Sequence, residues 1–388
     1  MAVLVVAYVL VQLGRPFPRL QLSRSLPSRL QLAGPAVRLP WPVRSEVSLD
    51  LQGVESLGSA GGDAPLPLAS VTKIMTALVV LRDHPITPGT EGPTLTVTPQ
   101  DVATYQADLM TDQSATPVAA GERLTEFQAL EGLLLPSANN FAEMLAVWDA
   151  SSIDAFVAEM NDEARALGLT GTRYVDPSGF DLGNVGTPTD QILLAETALE
   201  NTTLATIVSE PRATLPVAGT VQNVDGDLGQ DGIIGVKTGS ESAAGGCFVF
   251  AARKEIAGVP ATLVGAILGQ QGPTPLSSAL TDAKQLTASA FSSLRTVTLF
   301  TRGQAVAHVM VPWARPVPIV TGGAVMVTVL AGTEATYQTR IRSPYLDMRP
   351  GAAMGTVGVS VYQRQFNVPL VSVGAVRGPT LWWRLTDL

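Results

Sequence analysis

Apolar side chains recur every three or four positions in five stretches of the chain, which is the spacing of amphipathic helices. The first stretch, LASVTKIMTALVVL, is apolar almost throughout, which indicates a helix that is buried on most of its sides. Pro136 ends the second stretch, because proline cannot continue a helix. The spacing predicts helices at residues 68–81, 121–135, 139–148, 151–169 and 276–294.

Strand-like segments, bounded by glycines and prolines, make up much of the rest of the chain. Apolar and polar side chains alternate in residues 45–62, which predicts two short strands around Gly53. The same alternation, broken at glycines and prolines, from residue 296 to the end predicts a small all-β domain. Three further strands, separated by turn-length gaps and therefore antiparallel neighbours, are predicted at 232–240, 245–254 and 260–269. The patterns predict an α+β protein with an antiparallel sheet and a small C-terminal all-β domain.

The N-terminal segment, residues 1–44, begins with an apolar run of twelve residues, AVLVVAYVLVQL, and continues into a stretch rich in proline and arginine. Twelve residues are too few to cross a bilayer, which takes about 20. We interpret the run as part of a longer membrane anchor or signal, and the stretch after it as a linker. Membrane attachment through the N terminus is therefore an expectation.

The charge balance limits the classes of binding partner, and the rarity of lysine limits the side chains that could transfer a proton. The formal net charge of -8 argues against a nucleic-acid partner, and the single cysteine, Cys247, excludes an internal disulfide and a structural zinc site. Arginine stays protonated in proteins, whereas a buried lysine can lose its proton. Each lysine is therefore a candidate for proton chemistry, and only four of the 25 basic side chains are lysines: Lys73, Lys237, Lys254 and Lys284.

Ser70 and Lys73 are three residues apart on the first predicted helix, so their side chains share one face. An amine among apolar side chains has a lowered pKa and can take the proton of a nearby hydroxyl, which makes the serine a nucleophile. Ser70 also lies at the start of the helix, where free backbone N–H groups can stabilise an oxyanion. By itself the pair is equally typical of a capping serine followed by a surface lysine.

Two further short motifs add candidate side chains. Ser137 and Asn139 follow the helix-ending proline and lie in a turn, where the hydroxyl can relay a proton and the amide can hold a carbonyl. Lys237, Thr238 and Gly239 lie on a predicted strand, where the glycine lets a ligand backbone approach and the other two side chains can bind a carboxylate. Alone, the first motif is typical of a helix cap and the second of a strand end.

In combination and in this order, S-x-x-K, S-x-N and K-T-G are the signature of serine penicillin-binding proteins and class A β-lactamases. The chain resembles the low-molecular-mass penicillin-binding proteins that act as serine-type D-alanyl-D-alanine carboxypeptidases. The resemblance covers about residues 45–295 and, more loosely, the β-rich tail 296–388. It includes the segments PLPLASVTKIMTALVVL, GERLTEFQALEGLLLPSANN and GVKTGSESAAGGCFVFAARKE.

The resemblance implies a β-lactamase/transpeptidase-like fold, an antiparallel sheet flanked by helices with a helical subdomain, for a penicillin-binding catalytic domain at 45–295. It also implies a role for each motif residue. Ser70 would attack the carbonyl between two D-alanines with Lys73 as base, and the oxyanion would rest on the N–H groups of Ser70 and Ser240. Ser137 would pass a proton to the leaving amine. Substrate would be bound by Asn139, Lys237, Thr238, Gly239 and Ser240.

The same resemblance implies peptidoglycan stem peptides as substrate, β-lactams as inhibitors, no metal or cofactor, and a location in the cell envelope outside the cytoplasm. One departure stands out: the family often has an arginine after the third strand, whereas this chain has Gln270 and Gln271. Two alternatives remain open, a class A-like β-lactamase and a non-catalytic peptidoglycan-binding protein. The segment DPSGFDLGNVGTPTDQILL contains no glutamate to activate a deacylating water, which disfavours the β-lactamase.

Overall fold

The computed structural model describes residues 2–87, 89–362 and 364–386. Helices in this part of the chain are α1 (Ala2–Gly14), α2 (Lys73–Asp83), α3 (Pro99–Met110), α4 (Glu126–Leu134), α5 (Asn139–Ala150), α6 (Ile153–Ala166), α7 (Pro188–Glu200), α8 (Thr202–Val208), α9 (Pro275–Ser293) and α10 (Leu381–Thr386). A single 3-10 turn, Ala69–Thr72, leads directly into α2.

The strands of the first half have two to four residues each, except for β3 and β4, which have six. They are β1 (Gln21–Arg24), β2 (Arg29–Gln31), β3 (Glu46–Leu51), β4 (Glu55–Ala60), β5 (Leu66–Pro67), β6 (Thr94–Thr96), β7 (Arg123–Thr125), β8 (Val185–Gly186), β9 (Arg212–Leu215) and β10 (Gly219–Gln222). The second half contains β11 (Ile233–Glu241), β12 (Gly245–Ile256), β13 (Val259–Gln270), β14 (Leu294–Phe300), β15 (Ala305–Met310), β16 (Val317–Thr321), β17 (Val325–Leu330), β18 (Glu334–Ile341), β19 (Ala353–Val361) and β20 (Arg364–Ser372).

Contacts divide the chain into two compact units, of which residues 38–293 form the larger. Its centre is a five-stranded antiparallel sheet in the order β11-β12-β13-β3-β4. Helix α9 packs on β12 and β13, and α7 packs on β13 and β3. The α+β class and the antiparallel arrangement predicted from the sequence are confirmed.

Helix α2 is the buried centre of the helical part of this unit, and α4, α5, α6 and α7 all pack on it. Every residue from Lys73 to Leu81 is buried, so the apolar character of this stretch reflects contact on all sides. Burial of apolar surface at about 25 cal/mol per Å² makes such a helix a rigid part of the core. The 3-10 turn before it is therefore held in a fixed position.

The smaller unit consists of residues 2–37 together with the C-terminal part of the chain from Leu294. A seven-stranded sheet has the order β1-β15-β16-β20-β19-β18-β2, and β14 pairs with β17. Strands β1 and β2 lie in the stretch for which the sequence indicates only a linker. Both are short edge strands and largely exposed, so burial imposes no apolar alternation on them.

Helix α3, like α7 and α8, belongs to the larger unit and is not among the helices predicted from the sequence. The stretch that contains α3, residues 86–121, is polar and rich in turn-forming residues. The start of α3 carries a capping box: Thr98 Oγ1 accepts from the Asp101 N–H, and the Asp101 carboxylate accepts from the Thr98 N–H. Pro99 occupies the first helical position, where its missing N–H costs nothing. The sequence signal for this helix is therefore its cap and not its apolar pattern.

Candidate active site

Three elements of the larger unit converge on Ser70. The 3-10 turn carries Ser70 itself, and Gly239 of β11 lies so close that a Cβ there would be 3.1 Å from the Ser70 nitrogen. The loop after α6 approaches from another direction, since a Cβ on Gly179 would be 1.8 Å from the Ala69 carbonyl oxygen. Ala69 has φ +47, a left-handed conformation that costs free energy and is kept by this close packing.

Lys73 is completely buried, and its amine has three hydrogen-bond partners. Nζ lies 2.9 Å from Ser70 Oγ, 2.7 Å from Asn139 Oδ1 and 2.7 Å from the Ser178 carbonyl oxygen. Burial, and next the charge of Lys237, lower the pKa of Lys73 well below its ordinary value.

An ammonium at Lys73 can donate to all three oxygens, whereas a neutral amine has two N–H donors and one lone pair. The oxygens of Asn139 and Ser178 can only accept, so each takes one N–H. In the neutral amine, the Ser70 hydroxyl can donate to the lone pair that remains. The same 2.9 Å contact therefore allows a neutral Lys73 to accept the proton of Ser70.

Asn139 opens α5, and its amide connects Lys73 to a neighbouring loop. Besides accepting from Lys73, its Nδ2 donates to Gln113 Oε1 at 2.6 Å. Ser137, two residues earlier, is buried in a left-handed conformation with φ +66. Within the described residues its hydroxyl has no hydrogen-bond partner, so it is available to a ligand.

The K-T-G segment lies on β11, the edge strand of the five-stranded sheet. Lys237 and Thr238 are buried, whereas Ser240 is exposed. Lys237 Nζ donates to the Thr238 carbonyl oxygen at 3.0 Å. Burial lowers the pKa of Lys237 to about 7, and the nearby carboxylate of Asp225 opposes that shift.

The loop that supplies the Ser178 carbonyl is organised by Asp176. Oδ1 of Asp176 accepts from the N–H groups of Ser178 and Gly179, and Oδ2 accepts from the Asp181 N–H and from Asn184 Nδ2. Both carboxylate oxygens are therefore committed to holding the loop. A backbone carbonyl gives no residue-type signal, which is why the sequence analysis does not find this partner of Lys73.

Gln270 is the last residue of β13 and pairs with Gly246 of β12. It is buried, and Oε1 has no hydrogen-bond partner among the residues that the structure describes. The position where the resemblance leads us to expect an arginine is thus occupied by a neutral amide. Carboxylate recognition in this chain has to depend on other groups.

Within the described residues, carboxylates spaced to hold a metal ion form one group, Asp83, Asp149 and Glu159. Arg82 lies 2.6 Å from Asp83 and 3.0 Å from Glu159, and His84 Nε2 lies 3.0 Å from Asp149. Cationic and histidine side chains therefore already partner these carboxylates. The group lies at the far end of α2 from Ser70.

The geometry brings Ser70, Lys73 and Asn139 into direct hydrogen-bond contact and places Gly239 against the Ser70 backbone. A buried lysine in contact with a serine at the start of a helix, beside an edge strand, is an arrangement suited to acyl transfer through the serine.

Comparison with known proteins agrees with this interpretation. Residues 43–267 match the family model of the D-alanyl-D-alanine carboxypeptidases, peptidase family S11. The chain belongs to this family.

Individual relatives show how far the likeness extends. The chain is 30% identical over 262 residues to the D-alanyl-D-alanine carboxypeptidase DacB2 of Mycobacterium tuberculosis, covering 65% of this chain and 84% of that protein. The Streptomyces K15 DD-transpeptidase structure is 28% identical with a TM-score of 0.57, covering 66% of this chain and 100% of that one. Penicillin binding protein 5 of Haemophilus influenzae shares the fold over 88% of this chain and 100% of its own, with TM-score 0.63 and 19% identity.

Proposed function

We propose that this chain is a serine D-Ala-D-Ala carboxypeptidase that removes the terminal D-alanine from peptidoglycan pentapeptide stems through an acyl-enzyme on Ser70. The observation that carries the proposal is the hydrogen-bond pattern of Lys73. Nζ lies within hydrogen-bond distance of Asn139 Oδ1, the Ser178 carbonyl oxygen and Ser70 Oγ, so a neutral amine can give its two N–H groups to the first two and take the Ser70 proton. Membership of the S11 family supports the substrate class.

The reaction follows from this arrangement. Ser70 Oγ bonds to the carbonyl carbon between the two D-alanines while Lys73 takes the hydroxyl proton. The carbonyl oxygen becomes an oxyanion held by the N–H groups of Ser70 and Ser240. The C–N bond then breaks, Ser137 passes the proton from Lys73 to the leaving amine, and free D-alanine departs. Water attacks the ester in the second half and regenerates Ser70.

Substrate binding is assigned to the second and third motifs. The Asn139 amide has one further N–H for a substrate carbonyl, and the edge of β11 at Gly239 accepts an extended peptide. Lys237 and Thr238 receive the terminal carboxylate. With a pKa of about 7, Lys237 gains its charge when a carboxylate binds beside it, and this compensates for the absent arginine.

The larger unit contains every residue of this mechanism, so we assign catalysis to residues 45–295 and a separate role to the β domain, 296–388. Enzymes of this family act on peptidoglycan, outside the cytoplasm. Within the described part of the chain, no helix is long and apolar enough to span a membrane. We propose that the chain attaches to the membrane through α1, whose Val3 and Leu4 side chains are 81% and 76% exposed. The test is sedimentation with phosphatidylcholine vesicles. Sedimentation that is unchanged by deleting residues 2–14 would contradict the proposal.

A penicillin is expected to inhibit this enzyme and to be hydrolysed only slowly. Fast hydrolysis of the acyl-enzyme needs a base for the attacking water. The loop beside Lys73 contains no glutamate, and both carboxylate oxygens of Asp176 are engaged with the loop itself. The second aspartate, Asp181, is exposed and accepts from the Gly183 N–H. The observation favours a carboxypeptidase over a β-lactamase.

The test follows two products in parallel, D-alanine released from a pentapeptide stem and hydrolysed benzylpenicillin. We expect steady release of D-alanine and a stable penicillin adduct in the wild type. Ser70→Ala should abolish both, while Ser59→Ala, an exposed serine on β4, should change neither. A wild type that hydrolyses penicillin rapidly and releases no D-alanine would contradict the proposal.

A further inference from the structure

A chain of side-chain hydrogen bonds runs from the base at Lys73 to the end of helix α3. Lys73 Nζ donates to Asn139 Oδ1 at 2.7 Å, and Asn139 Nδ2 donates to Gln113 Oε1 at 2.6 Å. Gln113 Nε2 in turn donates to Thr111 Oγ1 at 3.0 Å. The last hydroxyl, that of Thr111, donates to the Ala107 carbonyl oxygen at 3.0 Å.

The direction of this chain is fixed at its far end. A backbone carbonyl can only accept, so the Thr111 proton points to the helix and its oxygen has to accept from Gln113. The side-chain amide of Gln113 therefore presents its nitrogen to Thr111 and its oxygen to Asn139. Its backbone is anchored as well, because the Gln113 N–H donates to the Asp108 carbonyl oxygen at 2.9 Å.

The orientation of the Asn139 amide matters for the base. In the observed orientation its oxygen accepts one N–H of Lys73. When the amine is neutral, its lone pair is then left for the Ser70 hydroxyl 2.9 Å away. In the flipped orientation Nδ2 would face the amine and donate to that same lone pair. Ser70 would then lose its proton acceptor.

We propose that Gln113 is a positioning residue for acylation: its side-chain oxygen holds the Asn139 amide in the orientation that reserves the lone pair of Lys73 for Ser70. The proposal rests on the proposed function, since it concerns the acylation of Ser70. Gln113 itself lies outside the three motifs, on the loop between α3 and β7.

Two substitutions at Gln113 separate positioning from a merely structural role. Gln113→Met keeps the length of the side chain but removes the acceptor for Asn139. Gln113→Glu keeps an acceptor and adds a negative charge two hydrogen bonds from Lys73. Gln100→Met, at an exposed position of α3, is the matched control.

The measurement is the rate of acylation by a fluorescent penicillin between pH 5 and pH 10. In the plot of acylation rate against pH, Gln113→Met should lower the plateau rate about tenfold, the loss expected for one hydrogen bond. It should also shift the acid limb, where the rate falls as Lys73 gains a proton, to lower pH. Gln113→Glu should keep the plateau within about threefold and shift the acid limb to higher pH, because a negative charge stabilises the ammonium form. Gln100→Met should match the wild type.

The other charged groups around Lys73 are Lys237, Asp108, Asp176 and Glu241, and none of them changes in these variants. A structural role would lower the fraction of active enzyme equally at every pH. Unshifted acid limbs in both variants, or a Gln113→Met plateau within twofold of the wild type, would overturn the proposal.

A second readout keeps this proposal distinct from the proposed function. The chain has only four lysines, so a spectrum of ¹³Cε-labelled lysine is simple, and the Lys73→Met spectrum identifies the Lys73 signal. The pKa of Lys73 should fall in Gln113→Met and rise in Gln113→Glu, whether or not penicillin acylates the enzyme. A wild type without acylation would contradict the proposed function, and an unchanged Lys73 titration would contradict the role of Gln113.

Discussion

Replacing Lys237 by methionine should stabilise the fold at neutral pH while it impairs the site. Methionine has a similar volume and loses no charge hydration when it is buried. The Lys237 amine, in contrast, is completely buried, and burial lowers its pKa from 10.5 to about 7. Between these two pH values the unfolded chain binds one more proton than the folded chain. The wild type is therefore penalised fully below pH 7, and its stability rises with pH through this window.

The size of the effect follows from the shift. A change from 10.5 to about 7 corresponds to about 4 kcal/mol at pH 7, at ~1.4 kcal/mol per unit. Loss of the hydrogen bond from Lys237 to the Thr238 carbonyl removes about 1 kcal/mol of this gain. We expect Lys237→Met to raise the free energy of unfolding by about 3 kcal/mol at pH 7 and by less than about 1 kcal/mol at pH 9.5.

Urea unfolding followed by tryptophan fluorescence at the two pH values measures this difference. Lys254→Met is the matched control, because the Lys254 side chain is 39% exposed, and its effect should be small and independent of pH. Penicillin acylation of Lys237→Met should fall in the same preparation. If the gain in stability were equal at pH 7 and pH 9.5, the buried lysine would not carry the penalty, and the reasoning would be refuted.

Three further variants test separate parts of the structure. Lys73→Arg should lose penicillin labelling by at least about a hundredfold, as measured by fluorescent-penicillin gel assay, because arginine cannot act as a base. Gly179→Ala should unfold at a lower temperature in calorimetry, because its Cβ would lie 1.8 Å from the Ala69 carbonyl oxygen at φ +85; an unchanged midpoint would show that the loop yields. Burial and the neighbouring Glu210 raise the pKa of Glu131 to about 8, so the wild type loses stability as pH rises from about 4.5 through 8. The urea midpoint of Glu131→Gln should therefore be higher than that of the wild type at pH 9 but not at pH 5.

The chemistry of the site could be predicted from the sequence where it depends on residue type at short spacing. Ser70 and Lys73 are three residues apart, and the helical repeat alone brings such side chains together. The rarity of lysine made all four lysines candidates for proton chemistry, and burial was expected only for Lys73. In the structure both Lys73 and Lys237 are buried with lowered pKa values.

The hydrogen-bond partners of Lys73 and Asn139 outside the motifs could not be predicted in this way. The Ser178 carbonyl is a backbone atom, and its position depends on the turn that Asp176 holds. Gln113 lies on a polar loop about forty residues from Lys73 along the chain and meets Asn139 only because α3 folds against α5. Contacts of this kind depend on tertiary packing, which local periodicity does not encode.

The central claim, that Ser70 is the nucleophile of an acyl-enzyme, is tested most directly by intact mass spectrometry of the protein after incubation with benzylpenicillin, followed by peptide mapping. We predict that the wild type gains the mass of one penicillin, that the adduct maps to the peptide containing Ser70, and that Ser70→Ala gains no mass. An adduct on any other residue, or an unmodified wild type beside a labelled control carboxypeptidase, would contradict the account.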